Sequence, residues 1–254
     1  MKHFFVGDVH GMSEELRLLM NKLRPVEGDT VVFVGDLVDK GPDSLGVVRM
    51  VRDWSENGPF KVVLVEGNHE DTHRRFRRNQ RVRPEVSKQQ SDRKPELLEL
   101  TNGLSEEDVE FLENSVLFYR VPEHNLLVVH GGVTGSLEKV PESPDDLSEL
   151  TSKERKRLNL VMRTRRLDRE TGRFLKLSES TEDDPRWSEL YDGRFGHVVY
   201  GHEPFMEGPM VSEHSTGVDT GCVKGGPLTS LVVDSNGERS FVSVPSRGDF
   251  FKMR

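Results

Sequence analysis

Six side chains of metal-binding type stand where short apolar runs end. Asp8 and His10 follow residues 2–6, Asp36 follows 30–34, Asn68 follows 61–65, His130 follows 125–129, and His202 follows 197–200. An Asp oxygen and a His nitrogen two residues apart reach one ion only if the chain turns sharply, and Gly7 and Gly11 flank that step. Oxygen ligands mixed with imidazoles suit Mn, Fe, Zn or Co better than Ca or Mg alone. Six ligands are too many for one catalytic ion that must also hold water and substrate, and they suffice for two ions sharing one carboxylate. Two ions about 3.5–4 Å apart can bridge a hydroxide, lower its pKa and clamp a phosphoryl group for in-line displacement. A single zinc with His and Asp ligands would leave Asn68 and two of the strand ends without a part. Any one of these turns is weak evidence, because Gly-Asp and Gly-Asn are ordinary turn dipeptides. Three in succession presenting Asp, His, Asp, Asn and His are not.

The elements that must position these groups read as an α/β chain. Residues 30–34 and 61–65 are β-branched runs of the kind buried on both faces of a parallel sheet, and open α/β sheets place their chemistry beyond the strands' C-terminal ends. Ser13 is placed to cap a helix running to about Leu23, closed by Pro25 and Gly28. Asp43 or Ser44 opens a second, with Leu45, Val47, Val48 and Val51 inward. Three βα units in a row predict a layered α/β fold. Residues 71–124 then change character. Arg74, Arg75, Arg77, Arg78, Arg81 and Arg83 crowd together, and Ser105 with Asp108 makes a capping-box start to a helix from Glu106 to about Asn114. This stretch is expected to be a helical insertion or lid, with the arginines on a solvated, salt-bridged face rather than clamping phosphates or RNA. Residues 134–195, holding the basic cluster 163–166, are expected to form an insertion on the substrate side. Segments 215–219, 228–233 and 239–244 read as antiparallel strands. With no repeat and no linker, one domain over 1–254 is expected.

Composition narrows the partners. The 254 residues carry 36 Lys and Arg against 44 Asp and Glu, a net charge of −8. A chain this acidic does not advertise non-specific nucleic-acid binding, and no stable nucleic-acid or membrane partner is expected. Handling a phosphorylated substrate then calls for metal or a local basic patch. Cys222 is the single cysteine, so no intramolecular disulfide forms; a reducing compartment is expected for the chain and a small buried apolar role for the thiol. No run nears the ~18 apolar residues of a membrane span, and a strand beginning almost at Met1 leaves no room for a signal peptide. The expected location is the cytoplasm. His3, His73, His124, His197 and His214 are given no place in the site, with His197 read as a satisfied core or edge histidine. Trp54, Trp187 and Tyr191 are assigned to packing. Should one of them stack on a purine, the 187–191 stretch is the place.

Five motifs stand in order: Gly7-Asp8-Val9-His10-Gly11, Gly35-Asp36-Leu37-Val38-Asp39-Lys40-Gly41, Gly67-Asn68-His69-Glu70, His130-Gly131-Gly132 and Gly201-His202. In this order they resemble the calcineurin-like metallophosphoesterase superfamily, in particular its phosphoprotein phosphatase branch. Lys40 stands where protein Ser/Thr phosphatases have Arg. That Lys40 segment, the run Val218-Asp219-Thr220-Gly221-Cys222 and the later Gly225-Gly226-Pro227-Leu228-Thr229 look closest to the ApaH-like phosphatases, relatives of the symmetrical diadenosine tetraphosphatases. Glu70 and Gly132 are more typical of protein phosphatases. The resemblance implies a four-layered α/β/β/α sandwich of two mixed sheets, with the C-terminal strands building the second sheet. It implies two divalent ions, Mn foremost and Fe, Zn, Co or Mg as the other candidates. Asp8, His10 and Asp36 would hold the first, and Asp36, Asn68, His130 and His202 the second. His69 would protonate the leaving oxygen, oriented by Asp39, while Lys40, Asn68 and Arg163 would grip phosphate. The implied activity is cleavage of phosphoric anhydride bonds in dinucleoside polyphosphates such as diadenosine tetraphosphate, or in RNA caps, by direct attack of a metal-bridging hydroxide. The alternative is a protein Ser/Thr or Tyr phosphatase acting on phosphomonoesters.

Overall fold

In the structure, a computed structural model, residues 1–252 are described; the last two positions of the domain expected over 1–254 lie outside them. The chain opens with β1 (His3–Val6), α1 (Ser13–Leu23), β2 (Thr30–Phe33), α2 (Ser44–Asn57) and β3 (Lys61–Leu64). The three strands lie parallel, Phe4 beside Val31 and Val31 beside Val62. Successive side chains leave a strand on opposite faces. Phe4, Val6, Val31 and Phe33 therefore pack with Leu16 and Leu19 of α1 and Val47 and Val51 of α2, while Phe5 and Val32 face away from those helices. Asp43 caps α2, its carboxylate accepting the Gly46 N–H at 2.8 Å. Ser13 does not cap α1. It is the first helical residue, and Met12 takes the N-cap position without a side-chain bond.

Four helices follow where a helical insertion was expected: α3 (Asn68–Val82), α4 (Pro84–Arg93), α5 (Glu96–Gly103) and α6 (Glu106–Glu113). Ser105 and Asp108 bond each other's amides at the start of α6. On α3, Arg74 pairs with Glu66 and Glu113 at 3.1 Å each, Arg75 with Asp71 at 2.9 Å, and Arg77 with Glu113. The salt bridges read from the sequence are present for these three arginines, but Arg77 is buried rather than solvated. No helix among the described residues is long and apolar enough to cross a membrane.

The remaining elements are β4 (Tyr119–Val121), β5 (Leu126–Val128), α7 (Ser152–Leu158), β6 (Arg166–Leu167), β7 (Phe174–Leu175), α8 (Trp187–Leu190), β8 (His197–Tyr200), β9 (Met210–Val211), β10 (Ser215–Gly217), β11 (Leu228–Val233) and β12 (Arg239–Val244). They complete two mixed five-stranded sheets, ordered β12-β11-β1-β2-β3 and β4-β5-β8-β10-β9, while β6 and β7 form a hairpin of their own. One expectation is corrected here and another qualified. The tail strands β11 and β12 extend the first sheet rather than building the second, and β10, antiparallel to β9 as read, is parallel to its other neighbour β8. Every residue of β11 is buried, so it needs a cover on both faces and a strand on both sides. Leu228 and Val232 enter the helix-side core while Leu231 and Val233 enter the core between the sheets. β11 has both, lying between β1 and the edge strand β12.

Between the sheets, Leu126, Val128 and Val199 meet Phe5, Val32 and Leu231. On the far side, Leu127, Val129, Val198 and Tyr200 lie under Leu158, Val161, Trp187 and Tyr191. Three cores separate four layers, and the α/β/β/α order holds.

His197 begins β8 as a satisfied histidine. Its Nε2 accepts from an Arg239 guanidinium nitrogen at 2.9 Å, with Thr216 Oγ1 also 2.9 Å away. Burial, and then the Arg239 charge, push its pKa from 6.5 down to about 4. Between those values the unfolded chain binds the extra proton and the folded chain does not, so stability rises with pH across that window. This contribution is complete above about pH 6.5 and is lost as pH falls toward 4. Urea midpoints of His197→Gln are expected to fall less steeply than those of the parent from pH 6.5 to 4; parallel curves would show that His197 adds nothing to the acid sensitivity.

Candidate active site

The site is assembled around Asp36. Just past β2, Gly35 and Asp36 both adopt left-handed backbone, with φ of 102° and 54°, and this turn carries the Asp36 side chain across the strand ends. Its Oδ1 accepts the His69 N–H at 3.0 Å. Its Oδ2 lies 3.3 Å from His130 Nε2, 3.6 Å from His10 Nε2 and 3.9 Å from His69 Nε2. A single oxygen thus stands at the junction of two donor groups, His10–Asp36–His69 and Asp36–His130–His202, each with its donor atoms within 4.8 Å of one another. Asp8 adds an oxygen 3.8 Å from His10 Nε2, and Asn68 one 3.2 Å from His130 Nε2. All six side chains singled out at strand ends are brought together.

Their protonation suits a cation. His10 Nδ1 and His130 Nδ1 donate to the carbonyls of Val38 and Val34 at 2.8 Å, so each ring turns the lone pair of Nε2 toward the cluster. Burial, and then the nearby Lys40 charge, push His10 down to about 3. Burial, reinforced by His130, drives His202 well below its ordinary value, and His202 Nδ1 is buried without a hydrogen-bond partner. Burial and the neighbouring Asp219 and Asp36 raise Asp8 far above the usual carboxylate range. Burial also works against Asp36, but His130, His69 and His10 hold it well below that range. Crowded carboxylates and neutral imidazoles call for positive charge, and the Lys40 ammonium reaches in to supply some, its Nζ 2.7 Å from His10 Nε2. The lysine places a cation against one of the lone pairs a metal would use. This donor set fits divalent ions.

Beside it, Asp39 is held between two rings. Its Oδ2 lies 2.6 Å from His69 Nδ1 and its Oδ1 2.8 Å from His73 Nε2. Burial opposes ionisation of Asp39, but these two bonds hold it far below its usual value. Burial lowers His69, yet Asp36 and Asp39 outweigh it and the net shift is upward. His73 was given no place in the sequence reading. The signal was its spacing four residues beyond His69 on one helix, which puts both rings on the same face. Asp219 was also missed as a second carboxylate beside Asp8; it is buried, with Oδ1 accepting the Gly221 N–H at 2.9 Å.

Arg163 donates to Asp71 Oδ2 at 2.6 Å and faces a cavity of about 620 Å³ that reaches Asn68 and His202. Trp187 does not face it. The indole is buried, 4.8 Å from the Tyr200 ring and 5.6 Å from that of Tyr191, so neither 187 nor 191 is placed to stack on a base. A Cβ at position 132 would run into this indole, so Gly132 answers to Trp187 packing.

Glu70 is likewise turned inward. Its carboxylate accepts the N–H of Asp36 and of Leu37 at 2.8 Å and of Gly67 at 3.0 Å. Replacing it with alanine leaves three buried amides without an acceptor, at about 1–3 kcal/mol each. Glu70→Ala is therefore expected to lose several kcal/mol in urea unfolding with chelator present, and to bind less than its full complement of metal by elemental analysis. Parent-like stability would show that water replaces the carboxylate.

The family described as calcineurin-like phosphoesterase matches residues 1–206. The asymmetrical bis(5'-nucleosyl)-tetraphosphatase PrpE of Oceanobacillus iheyensis is 31% identical over 98% of this chain and 94% of its own. The symmetrical bis(5'-nucleosyl)-tetraphosphatase of Shewanella sediminis is 30% identical over 93% of this chain and 96% of its own. A solved structure described as that of a candidate diadenosine tetraphosphatase superposes with a TM-score of 0.69 at 26% identity, covering 96% of this chain and 93% of that one. With the folded arrangement of Asp8, His10, Asp36, Asn68, His130 and His202, these matches make the chain a member of the calcineurin-like phosphoesterases, enzymes that hydrolyse phosphoester and phosphoanhydride bonds with divalent metal ions.

Proposed function

We propose that this protein hydrolyses dinucleoside tetraphosphates such as diadenosine tetraphosphate, cutting the chain asymmetrically to a nucleoside triphosphate and a nucleoside monophosphate. The observation that carries this reading is near full-length similarity to relatives named for that activity, the first at 31% identity. A second support is local. Glu70 and Gly132, the two features closer to protein phosphatases, face the Asp36 turn and the Trp187 indole and do not touch the substrate side.

In this reading Asp8, His10 and Asp36 hold one divalent ion, and Asp36, Asn68, His130 and His202 the other, with manganese as the expected native metal. Bound there, the ions would supply an activated water and draw charge from the phosphoryl group. The chain's own groups do the rest. His69 directs Nδ1–H onto the ionised Asp39 and offers Nε2 as proton donor to the departing phosphate oxygen. Asp39 keeps that imidazole aimed, and His73 keeps Asp39 from rotating. Arg163 and Lys40 grip phosphate oxygens, and Asp71 sets the direction of the Arg163 fork. The helix bundle 68–113 and the segment 134–195 belong in this reading to the same domain, flanking the strand ends.

The manganese-loaded enzyme is to be assayed against diadenosine tetraphosphate, capped RNA, a phosphoserine peptide and a phosphotyrosine peptide. ATP and AMP in equal amounts are expected from the first. Phosphate release from the peptides alone would overturn the reading, and two ADP would overturn the asymmetry. For His69→Asn the rate is expected to drop by ~10²–10⁴-fold with metal content unchanged; loss of metal would make His69 a ligand instead of the acid.

A further inference from the structure

The cavity beside the donor cluster carries more chemistry than phosphate cleavage needs. Its volume of about 620 Å³ lies in the range of small-ligand sites. Asn68 and His202 form its inner end. The same cavity is lined by three guanidinium groups, Arg163, Arg165 and Arg166, and by the side chains of Phe174, on the β6–β7 hairpin, and Leu177.

Two of those arginines are anchored without neutralisation. Arg165 donates to the His202 carbonyl at 2.7 Å, and its Nε is buried with no hydrogen-bond partner. Arg166 donates to the carbonyls of Glu182, at 3.2 Å, and Asp184. Carbonyl acceptors fix the direction of a guanidinium and leave its charge for an anion. Lys176, Glu182 and Glu203 also line the cavity, so four basic side chains face two acidic ones in a chain of net charge −8, and Glu203 is already paired with Arg186 at 3.0 Å. Leu177, which lines the same cavity as Phe174, is 78% exposed, a large apolar side chain left in solvent rather than packed.

We propose that this cavity seats one nucleoside 5'-polyphosphate arm of the substrate, with its phosphates along Arg163, Arg165 and Arg166 and its base against Phe174 and Leu177. The subsite rests on the reading of the protein as a dinucleoside polyphosphatase. It gives the β6–β7 hairpin a function: guanidinium groups near the donor cluster recognise phosphates, and an aromatic ring further out recognises a base face. A substrate with no base, or with a peptide in its place, uses the first part and forfeits the second.

Equilibrium dialysis of the metal-loaded protein tests this with two probes: ATP carrying a methylene in place of its β,γ-bridging oxygen, and inorganic triphosphate, which has the charge without the base. The double variant Phe174→Ala, Leu177→Ser is expected to bind the ATP analogue ~10–100-fold more weakly and triphosphate as the parent does, which also reports that the fold is intact. Leu177→Ser alone, at an exposed position, and Phe174→Leu, which keeps the bulk and loses the ring, should each weaken the analogue by a smaller factor. Arg166→Gln should weaken both probes. Parent-like binding of the analogue by the double variant, or no binding of it by the parent, overturns the subsite. Diadenosine tetraphosphate hydrolysis by the same proteins separates the two ideas. If the parent cleaves it with a KM that the double variant shares, the activity stands and the subsite falls. If the parent does not cleave it but the analogue's affinity still drops in the variant, the subsite stands and the activity falls.

Discussion

One buried carboxylate holds the geometry on which everything else at this site depends. Glu70 takes the amides of Gly67, Asp36 and Leu37, tying the turn after β3 to the turn after β2. Those turns are costly by themselves. His10, Asp36, Asp39, Lys40 and His202 all have left-handed backbone, and they account for five of the seven non-glycine residues with positive φ among those described. Such conformations cost roughly 1–3 kcal/mol each and persist only where the surroundings over-determine them. The Glu70 bonds, the Val38 and Val34 carbonyls on His10 and His130, and the His202 amide on Asp8 are those surroundings. A carboxylate accepting three amide hydrogens is stronger than three neutral bonds, which is why one residue can hold two loops.

With the turns fixed, the electrostatics follow. The strand ends deliver acids and imidazoles into a buried space where neither charges freely. Asp8 and Asp219 are pushed toward the neutral form while Asp36 is held ionised by the rings around it. The same low-dielectric surroundings that make this cluster unfavourable alone make a cation within it strongly bound. Folding energy spread over three apolar cores is in this way concentrated as metal affinity at one place.

The sequence exposed the ligands because they fall at the one position a buried strand leaves open, the residues just past its C-terminal end. Strands read as buried on both faces divide between cores as a period of two requires: Phe4 and Phe5, or Leu127 and Val128, face different layers. What stayed hidden depends on contacts between segments far apart in the chain. The spacing put His73 on the face of His69, but its partner Asp39 lies in a loop 34 residues earlier, and no local pattern joins the two. Glu70 and Gly132 looked like markers of substrate class and are instead conditions of packing, since no local pattern says which way a side chain near a turn will point. The pairing of β11 with β1 spans more than two hundred residues, and strand patterns do not carry sheet membership. Trp187 could stack on a base by its chemistry and cannot by its burial.

The two layers of this molecule divide reaction from recognition. Motif residues at the ends of β1, β2, β3, β5 and β8 converge on Asp36 from both sheets, so a change in any of them disturbs every other. Arg163, Arg165, Arg166, Phe174 and Leu177 lie on the β6–β7 hairpin and the loops around it, which meet that convergence through the Arg165 bond to the His202 carbonyl and otherwise stand apart from the strand ends. A phosphomonoester, a cap and a dinucleoside tetraphosphate all present the same tetrahedral phosphorus to the inner cluster. Discrimination must therefore come from groups that meet the substrate several bonds away, and in this chain those groups are arginines anchored on carbonyls and an apolar rim. The same folded centre can serve different substrates because its geometry is fixed from behind, by Glu70, and leaves the front to be rewritten.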